Sequence, residues 1–194
     1  MPIPRNRGNI KKLFELARSE DVDLWAIDEV HFQLHGSRCR MWVPPETKDP
    51  VVYHHPTRKS IGYFGAVRLR DGKFMFHRGE KFNAETFFLF LRDLRSLSCH
   101  AGRKVALILD NASYHHAKLH ELWRQKNRHR FMMNYLPPYS PELNPIERVW
   151  KLVRRIATHN QYFSSLEQIT RAVECTFVRW HKGNGTLRRL CAII

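Results

Sequence analysis

A proline-rich turn that leads into a helix, from Tyr135 to Trp150, constrains the fold of this chain more than any other stretch. Pro145 fixes its own φ and keeps Asn144 out of the α region, so we expect a helix to begin at Pro145 with Asn144 as its N-cap. Glu147 then occupies the third helical position, where the acid of a capping box lies. The turn therefore presents one carboxylate at the start of a helix.

Two interpretations of this helix are open from the stretch alone. Apolar residues recur at helical spacing and predict one buried face, formed by Ile146, Val149, Trp150, Val153, Ile156 and Ala157. The other side carries Glu147 and then a row of cations, Lys151, Arg154 and Arg155. An acid followed by cations suits a metal ion beside a phosphate backbone. A capped surface helix with internal ion pairs explains the same pattern equally well.

The first half of the chain predicts antiparallel strands. Residues 24–30 form an apolar strand that contains Asp28, and residues 38–43 are its expected partner across a turn. The Asp-Gly pair at 71–72 is typical of a hairpin between two further strands. Residues 44–60 are rich in proline and predict a long loop.

After Asn83, which we expect to cap a helix, helices alternate with strands. The apolar run 105–109 ends at Asp110 and predicts a strand that is buried on both faces. The elements expected after it are a helix over 116–128 with Leu119, Leu122 and Trp123 inward, a strand over 131–136 and a last helix over 165–181. This order predicts one α/β domain with antiparallel strands first.

The charge balance favours a polyanionic partner. Lys and Arg number 33 against 18 acidic residues, a net charge of +15 in 194 residues, which favours nucleic acid first and an anionic membrane second. No apolar run approaches the length of a membrane span, and the N-terminus lacks a signal-peptide core. The four cysteines form no Cys-x-x-Cys pair, which indicates reduced thiols rather than a zinc module. We therefore expect a cytoplasmic protein.

Three acids share a setting: Asp28 near the end of a strand, Asp110 at the end of another, and Glu147 at a helix start. Each alone could be a cap or an edge charge. Adjacent strands would bring Asp28 and Asp110 together, and clustered carboxylates become favourable when a divalent cation lies between them. Oxygen ligands select Mg²⁺ or Mn²⁺ rather than zinc. Two such ions, about 3.5–4 Å apart, can generate an attacking hydroxyl and stabilise a leaving oxygen.

Three motifs together resemble the catalytic domain of the IS630/Tc1/mariner transposases. They are Asp28-Glu29 after an apolar strand, Asp110-Asn111-Ala112-Ser113 with His115, and the run from Ser140 to Trp150 that contains Leu143-Asn144-Pro145-Ile146-Glu147. The resemblance extends over about residues 22–160. It implies an RNase H-like fold with a mixed five-stranded sheet. It also implies a DDE triad at Asp28, Asp110 and Glu147 that binds two Mg²⁺ ions, for which Mn²⁺ can substitute.

The function that the resemblance implies is cleavage of DNA at transposon ends and transfer of the 3′-hydroxyl strand into target DNA. A nuclease without strand transfer and a catalytically silent, basic DNA-binding remnant are the alternatives. Asn111 and Asn144 fall on motif positions and are expected to shape the site. The row Lys151, Arg154 and Arg155 is expected to contact the DNA backbone. His115 is expected to contact a phosphate or the scissile strand, with a plain surface histidine as the alternative.

Two expectations concern residues around the site. Glu29 should lie on the face of its strand opposite Asp28, and a structural salt bridge is its expected role. The adjacent pair at 54–55 lacks the spacing of zinc ligands.

The expected domain organisation is an N-terminal linker or helix over 1–20 and the catalytic domain over 21–194. The N-terminal helix-turn-helix region of the family is missing from this sequence. We therefore expect double-stranded DNA as substrate, a homodimer in the synaptic complex, a separate polypeptide as a source of end recognition, and a bacterial, nucleoid-associated location.

Overall fold

The computed structural model describes residues 7–47, 51, 53, 56–98 and 102–193. Its centre is one five-stranded sheet in the order β3-β2-β1-β4-β5. The strands are β1 Val22–Gln33, β2 Ser60–Arg68, β3 Phe74–Gly79, β4 Lys104–Leu109 and β5 Phe131–Tyr135. The helices are α1 Arg7–Arg18, α2 Ala84–Ser98, α3 Glu121–Asn127, α4 Ile146–Val153, α5 Leu166–Val178 and α6 Gly185–Leu190. None of the described helices is long and apolar enough to span a membrane.

The sheet is mixed, as predicted. β1, β2 and β3 pair antiparallel, whereas β1, β4 and β5 run parallel. In the parallel pair, Ala26 lies opposite Ile108. Because Asp28 and Asp110 each follow these residues by two positions, both carboxylates leave the sheet at the same level. The central strand β4 is buried from Val105 to Leu109, as its continuous apolar run predicted.

The expected partner of β1 is wrong. Residues 38–43 form no strand, and β1 pairs with β2 instead. The reason is burial, because β2 carries seven consecutive buried residues and suits an inner position, whereas Arg38, Arg40 and Trp42 are exposed. The segment that follows belongs to the predicted loop 44–60, and the histidines at 54–55 lie outside the described residues.

Two apolar cores cover the two faces of the sheet. Trp150 of α4 and Phe177 of α5 belong to the first core, which also contains Leu13 of α1. Phe87 and Leu91 of α2 belong to the second. The helix α2 begins where predicted, because the Asn83 side chain accepts hydrogen bonds from the backbone N–H groups of the first helical turn. Side chains that alternate along β1 therefore meet different helices.

The helix predicted over 116–128 is shorter than expected. Its predicted inward face is confirmed at Trp123, which packs against the second core, but is wrong at Leu119 and Leu122. Ala117 has extended backbone angles and divides the segment into 3₁₀ turns followed by the seven-residue α3. This break changes the side-chain register, so Leu119 and Leu122 are exposed, the latter at 71%. His120 is buried in their place and lies against Phe87.

The helix after the proline-rich turn begins one residue later than predicted. Pro145 is its N-cap, and the Asn144 side chain does not cap it. The helix also changes pitch at its end, because Arg154–Thr158 form a π-helical turn. The wider turn moves Ile156 off the predicted apolar face, and its side chain is 46% exposed. The last predicted helix is confirmed as α5 with Ser165 as its N-cap, and α6, which follows it, was not predicted.

Trp150 packs against β2 at a glycine. A Cβ added to Gly65 would overlap the Trp150 indole ring and approach Phe74. Gly65 lies opposite Asp28 in the antiparallel pair. The missing side chain therefore gives the indole ring its place beside Asp28.

We expect Gly65→Ala to lower the free energy of unfolding by about 1–3 kcal/mol, because the added methyl group overpacks the core against the indole ring. Urea denaturation measures the change. Gly185→Ala is the matched control, since nothing lies within 4 Å of a Cβ at Gly185. Equal effects of the two substitutions would contradict the packing described above.

Candidate active site

The three predicted carboxylates line one cleft of about 470 Å³ at the carboxyl end of the parallel strands. Asp28 follows the β1 segment paired with β4, Asp110 follows β4, and Glu147 lies in the first turn of α4. The other lining residues are Asn111, Ala112, Leu136, Pro137, Pro138, Tyr139, Ser140, Pro141 and Asn144. The proline-rich turn therefore forms one wall of the cleft, and the sheet edge forms the other.

Asp28 is partly buried on the side of the sheet that faces α4. Its Oδ2 accepts a hydrogen bond of 3.0 Å from Trp150 Nε1. Burial raises the pKa of Asp28 to about 7, and the neighbouring carboxylates of Glu29 and Glu147 add to the rise. The Trp150 hydrogen bond opposes this rise only in part. Trp150 was predicted only as a core residue, so its contact with Asp28 was missed.

Asp110 differs from Asp28 in both exposure and charge. Its side chain is 55% exposed. Its Oδ1 accepts from the backbone N–H of Ala112 and lies 3.0 Å from His115 Nδ1. The hydrogen bond from His115 lowers the pKa of Asp110 below its usual value. Asp110 is thus anionic at neutral pH, and its Oδ1 is held by the Ala112 N–H and by His115.

His115 is buried, with 1% of its side chain exposed, so the alternative of a plain surface histidine is wrong, and the burial argues against the predicted contact with DNA. Its Nε2 lies 3.2 Å from Glu29 Oε1, on the side opposite the contact with Asp110. Its ring packs on Phe87 with 4.3 Å between centroids. Burial lowers the pKa of His115, but the two carboxylates outweigh it and raise the pKa to about 9. The imidazolium therefore donates to both acids.

Glu29 fulfils the predicted salt bridge, and its partner is His115. The Tyr114 hydroxyl also hydrogen-bonds to Glu29, and burial raises the pKa of that phenol. Ligand atoms of Glu29, Asp110 and His115 lie within 4.8 Å of one another. We call these three residues the brace. The motif spacing, with Glu29 beside Asp28 and His115 five residues after Asp110, could have indicated this contact.

Two asparagines tie the proline-rich turn to the sheet. The Asn144 Nδ2 donates to the carbonyl oxygen of Ile27, 3.0 Å away, beside Asp28. The Asn111 Nδ2 donates to the carbonyl oxygen of Leu136 at the start of the turn. Asn144 is buried, and its Oδ1 has no hydrogen-bond partner among the described residues. These bonds fix the distance between the turn and both strands.

The predicted cation row lies outside the lining of the cleft. Lys151 and Arg155 are exposed. Arg154 is partly buried, and its guanidinium lies over the Phe32 ring, 5.8 Å from the centroid. The π-helical turn contains Arg154 and Arg155, whereas Lys151 lies in α4. Any DNA contact of Arg154 therefore competes with this stacking.

Sequence comparison finds relatives among mobile elements. A family model described as DDE superfamily endonuclease matches residues 23–170. An insertion element IS630 uncharacterized 39 kDa protein of Shigella sonnei is 29% identical over 142 residues, which are 73% of this chain and 38% of that protein. An uncharacterized protein of Sinorhizobium fredii is 35% identical over 68 residues, 35% of this chain and 47% of that protein. The chain thus spans less than half the length of these relatives.

Structural comparison finds the same fold in Mos1 transposase. A Mos1 transposase paired-end complex with left transposon end has a TM-score of 0.66 and 17% identity, over 98% of this chain and 62% of that one. The catalytic domain of Mos1 mariner transposase has a TM-score of 0.56 and 16% identity, over 98% and 94%. The predicted RNase H-like fold and the resemblance to IS630/Tc1/mariner catalytic domains are confirmed. Because the family match extends over most of the chain, this chain belongs to the DDE superfamily of endonucleases.

Proposed function

We propose that this chain is the catalytic domain of a DNA transposase that cleaves phosphodiester bonds at transposon ends and transfers the 3′-hydroxyl strand into target DNA. The observation that carries the proposal is the single cleft lined by Asp28, Asp110 and Glu147. The net charge of +15 supports a nucleic-acid substrate. Neighbours in fold include a Mos1 strand transfer complex, which supports transfer as well as cleavage.

Asp28, Asp110 and Glu147 would hold Mg²⁺ or Mn²⁺, two ions in the working site. The donor set fits, because all three ligands are carboxylates, which hard cations prefer. The raised pKa of Asp28 fits as well, since crowded carboxylates are stabilised by a cation. Mos1 paired-end complexes with Mn and with Mg share this fold. Bound divalent ions supply the Lewis acidity that in-line phosphoryl transfer requires.

The chain's own residues prepare this site. His115 and Glu29 hold one face of Asp110, which leaves the exposed part of its carboxylate toward the cleft. Trp150 fixes one oxygen of Asp28, and Asn144 fixes the backbone before it. Each of these is a positioning residue, because it acts on a carboxylate of the site or on the backbone beside one. Such support is needed because small displacements of catalytic groups cost large factors in rate.

DNA contacts and partners complete the proposal. Lys151 and Arg155 are exposed beside the helix that carries Glu147 and would contact phosphates, which position DNA without reading its sequence. Asn111 would shape the cleft with Asn144. A homodimer would assemble on paired transposon ends, with residues 21–194 as catalytic domain and end recognition supplied by another segment or polypeptide. The working location would be the bacterial cytoplasm, at the nucleoid.

The first prediction concerns activity. On supercoiled plasmid with Mn²⁺, we expect nicking and joining that disappear with chelator and fall at least about 10³-fold in Asp110→Asn, because a metal ligand is lost. Glu142→Gln, an exposed acid of the same turn outside the cleft lining, is the matched control. Nicking without joining would indicate a nuclease. DNA binding that is unchanged by chelator, without cleavage, would indicate a silent remnant.

The second prediction concerns stability. We expect Asp28→Asn to raise the unfolding free energy of the metal-free protein at about pH 8 by on the order of 4 kcal/mol. The pKa of Asp28 in the folded protein, about 7, exceeds the ordinary aspartate value of 3.8, so ionisation of Asp28 destabilises the fold. That loss develops as pH rises from about 4 to about 7, and the gain in the variant should vanish near pH 4. Urea denaturation at both pH values measures it, and equal stability at pH 8 would refute it.

The third prediction concerns the brace. We expect His115→Gln and Glu29→Gln each to reduce Mn²⁺-dependent nicking about 10-fold to 100-fold. Because the two residues act as a unit, the effects of the two substitutions should not add, and the double variant should show a coupling free energy of at least about 1 kcal/mol. His116→Gln is the control, because His116 is exposed and stacks on Tyr135 instead. A readout specific to positioning is Mn²⁺ affinity, which should fall in the brace variants alone. Additive effects on nicking would contradict the brace.

A further inference from the structure

The tip of the proline-rich turn holds an aromatic residue in an unfavourable backbone conformation. Tyr139 has φ of +57°, in the left-handed region that bulky residues rarely adopt. The only other non-glycine residue with positive φ among the described residues is Asn160, a type that tolerates this region. Tyr139 is therefore held in place by its surroundings, with Pro137, Pro138 and Pro141 around it.

The strained backbone places the Tyr139 ring in solvent. Its side chain is fully exposed, at 102% of its reference area, so core packing does not explain why tyrosine occupies the position. The turn itself is anchored at both ends, because the Leu136 N–H donates to the Leu109 carbonyl and Asn144 Nδ2 donates to the Ile27 carbonyl. Strain of this kind concentrates at functional sites.

The position of the Tyr139 ring beside the carboxylates indicates which part of a nucleotide it can bind. Tyr139 lines the same cleft as Asp28, Asp110 and Glu147. Near these acids, an uncharged aromatic surface can bind the part of a nucleotide that carries no charge, which is the base. Unpaired bases stack on exposed aromatic side chains, and this contact tolerates any base sequence.

We propose that Tyr139 stacks on an unpaired nucleobase next to the phosphodiester that enters the carboxylate cleft. This inference rests on the proposed function, since it requires DNA in the cleft. The ring positions the strand, while the exposed cations hold the backbone. An aromatic side chain at this tip is thus a binding residue and takes no part in the fold.

The test is binding of a forked DNA duplex, with 2-aminopurine in the single-stranded arms, in buffer containing Ca²⁺. We expect wild type to quench the 2-aminopurine emission, and Tyr139→Phe and Tyr139→Trp to retain the quenching. Tyr139→Asn should abolish it and weaken binding about tenfold, the loss of one stacked base. Tyr162→Ala, a half-exposed tyrosine outside the cleft lining, should behave as wild type.

The stability of the same variants separates binding from a structural role. Asn tolerates the left-handed region, so Tyr139→Asn should melt at the wild-type temperature or above it. A lower melting temperature of Tyr139→Asn, or wild-type quenching by this variant, would overturn the inference and leave the proposed function intact. Failure of the wild-type protein to bind the fork at all would overturn both.

Discussion

The parallel pairing of β1 with β4 is the constraint on which the rest of this structure depends. Its register sets Asp28 and Asp110 at one level of the sheet edge, and the proline-rich turn then returns Glu147 to the same cleft. Placing Asp28 in this cleft costs free energy in a protein without a cation. Burial raises the pKa of Asp28 to about 7, and the nearby carboxylates of Glu29 and Glu147 add to the rise. Burial of apolar side chains in two cores, one on each face of the sheet, offsets this cost.

Each strand carboxylate is supported from a different core. Trp150 reaches Asp28 from one face, at a place opened by Gly65. His115 reaches Asp110 from the other face and is itself held by Glu29. The two supports have opposite electrostatic consequences, since the indole leaves the Asp28 pKa high while the imidazolium keeps the Asp110 pKa low. Neighbouring acids of one site can therefore differ in protonation without a difference in residue type.

The errors in prediction share one cause: a local sequence pattern does not specify which other segments a residue contacts in the folded protein. Residues 38–43 follow β1 across a turn, as a hairpin partner would, but β2 is buried on both faces and takes the inner position. Leu122 has helical spacing, but the extended Ala117 shifts the register before α3. His115 was expected to contact DNA or to lie on the surface, and the pairing of β1 with β4 instead brings Glu29 within its reach.

The sequence by itself determined the mixed α/β order, the buried strand β4 and the acids Asp110 and Glu147 at element ends, because hydrophobic periodicity and turn residues are local properties. Asp28 was expected near the end of its strand but lies inside β1, which continues to Gln33. It also determined the family, because the motifs around Asp28, Asp110 and Glu147 are short runs of sequence that can be read without the fold. The tertiary structure alone decided which strands pair, which face each acid meets, and which side chains support it. Those outcomes depend on burial and on contacts between residues far apart in the chain, such as Trp150 with Asp28, and no local pattern encodes them.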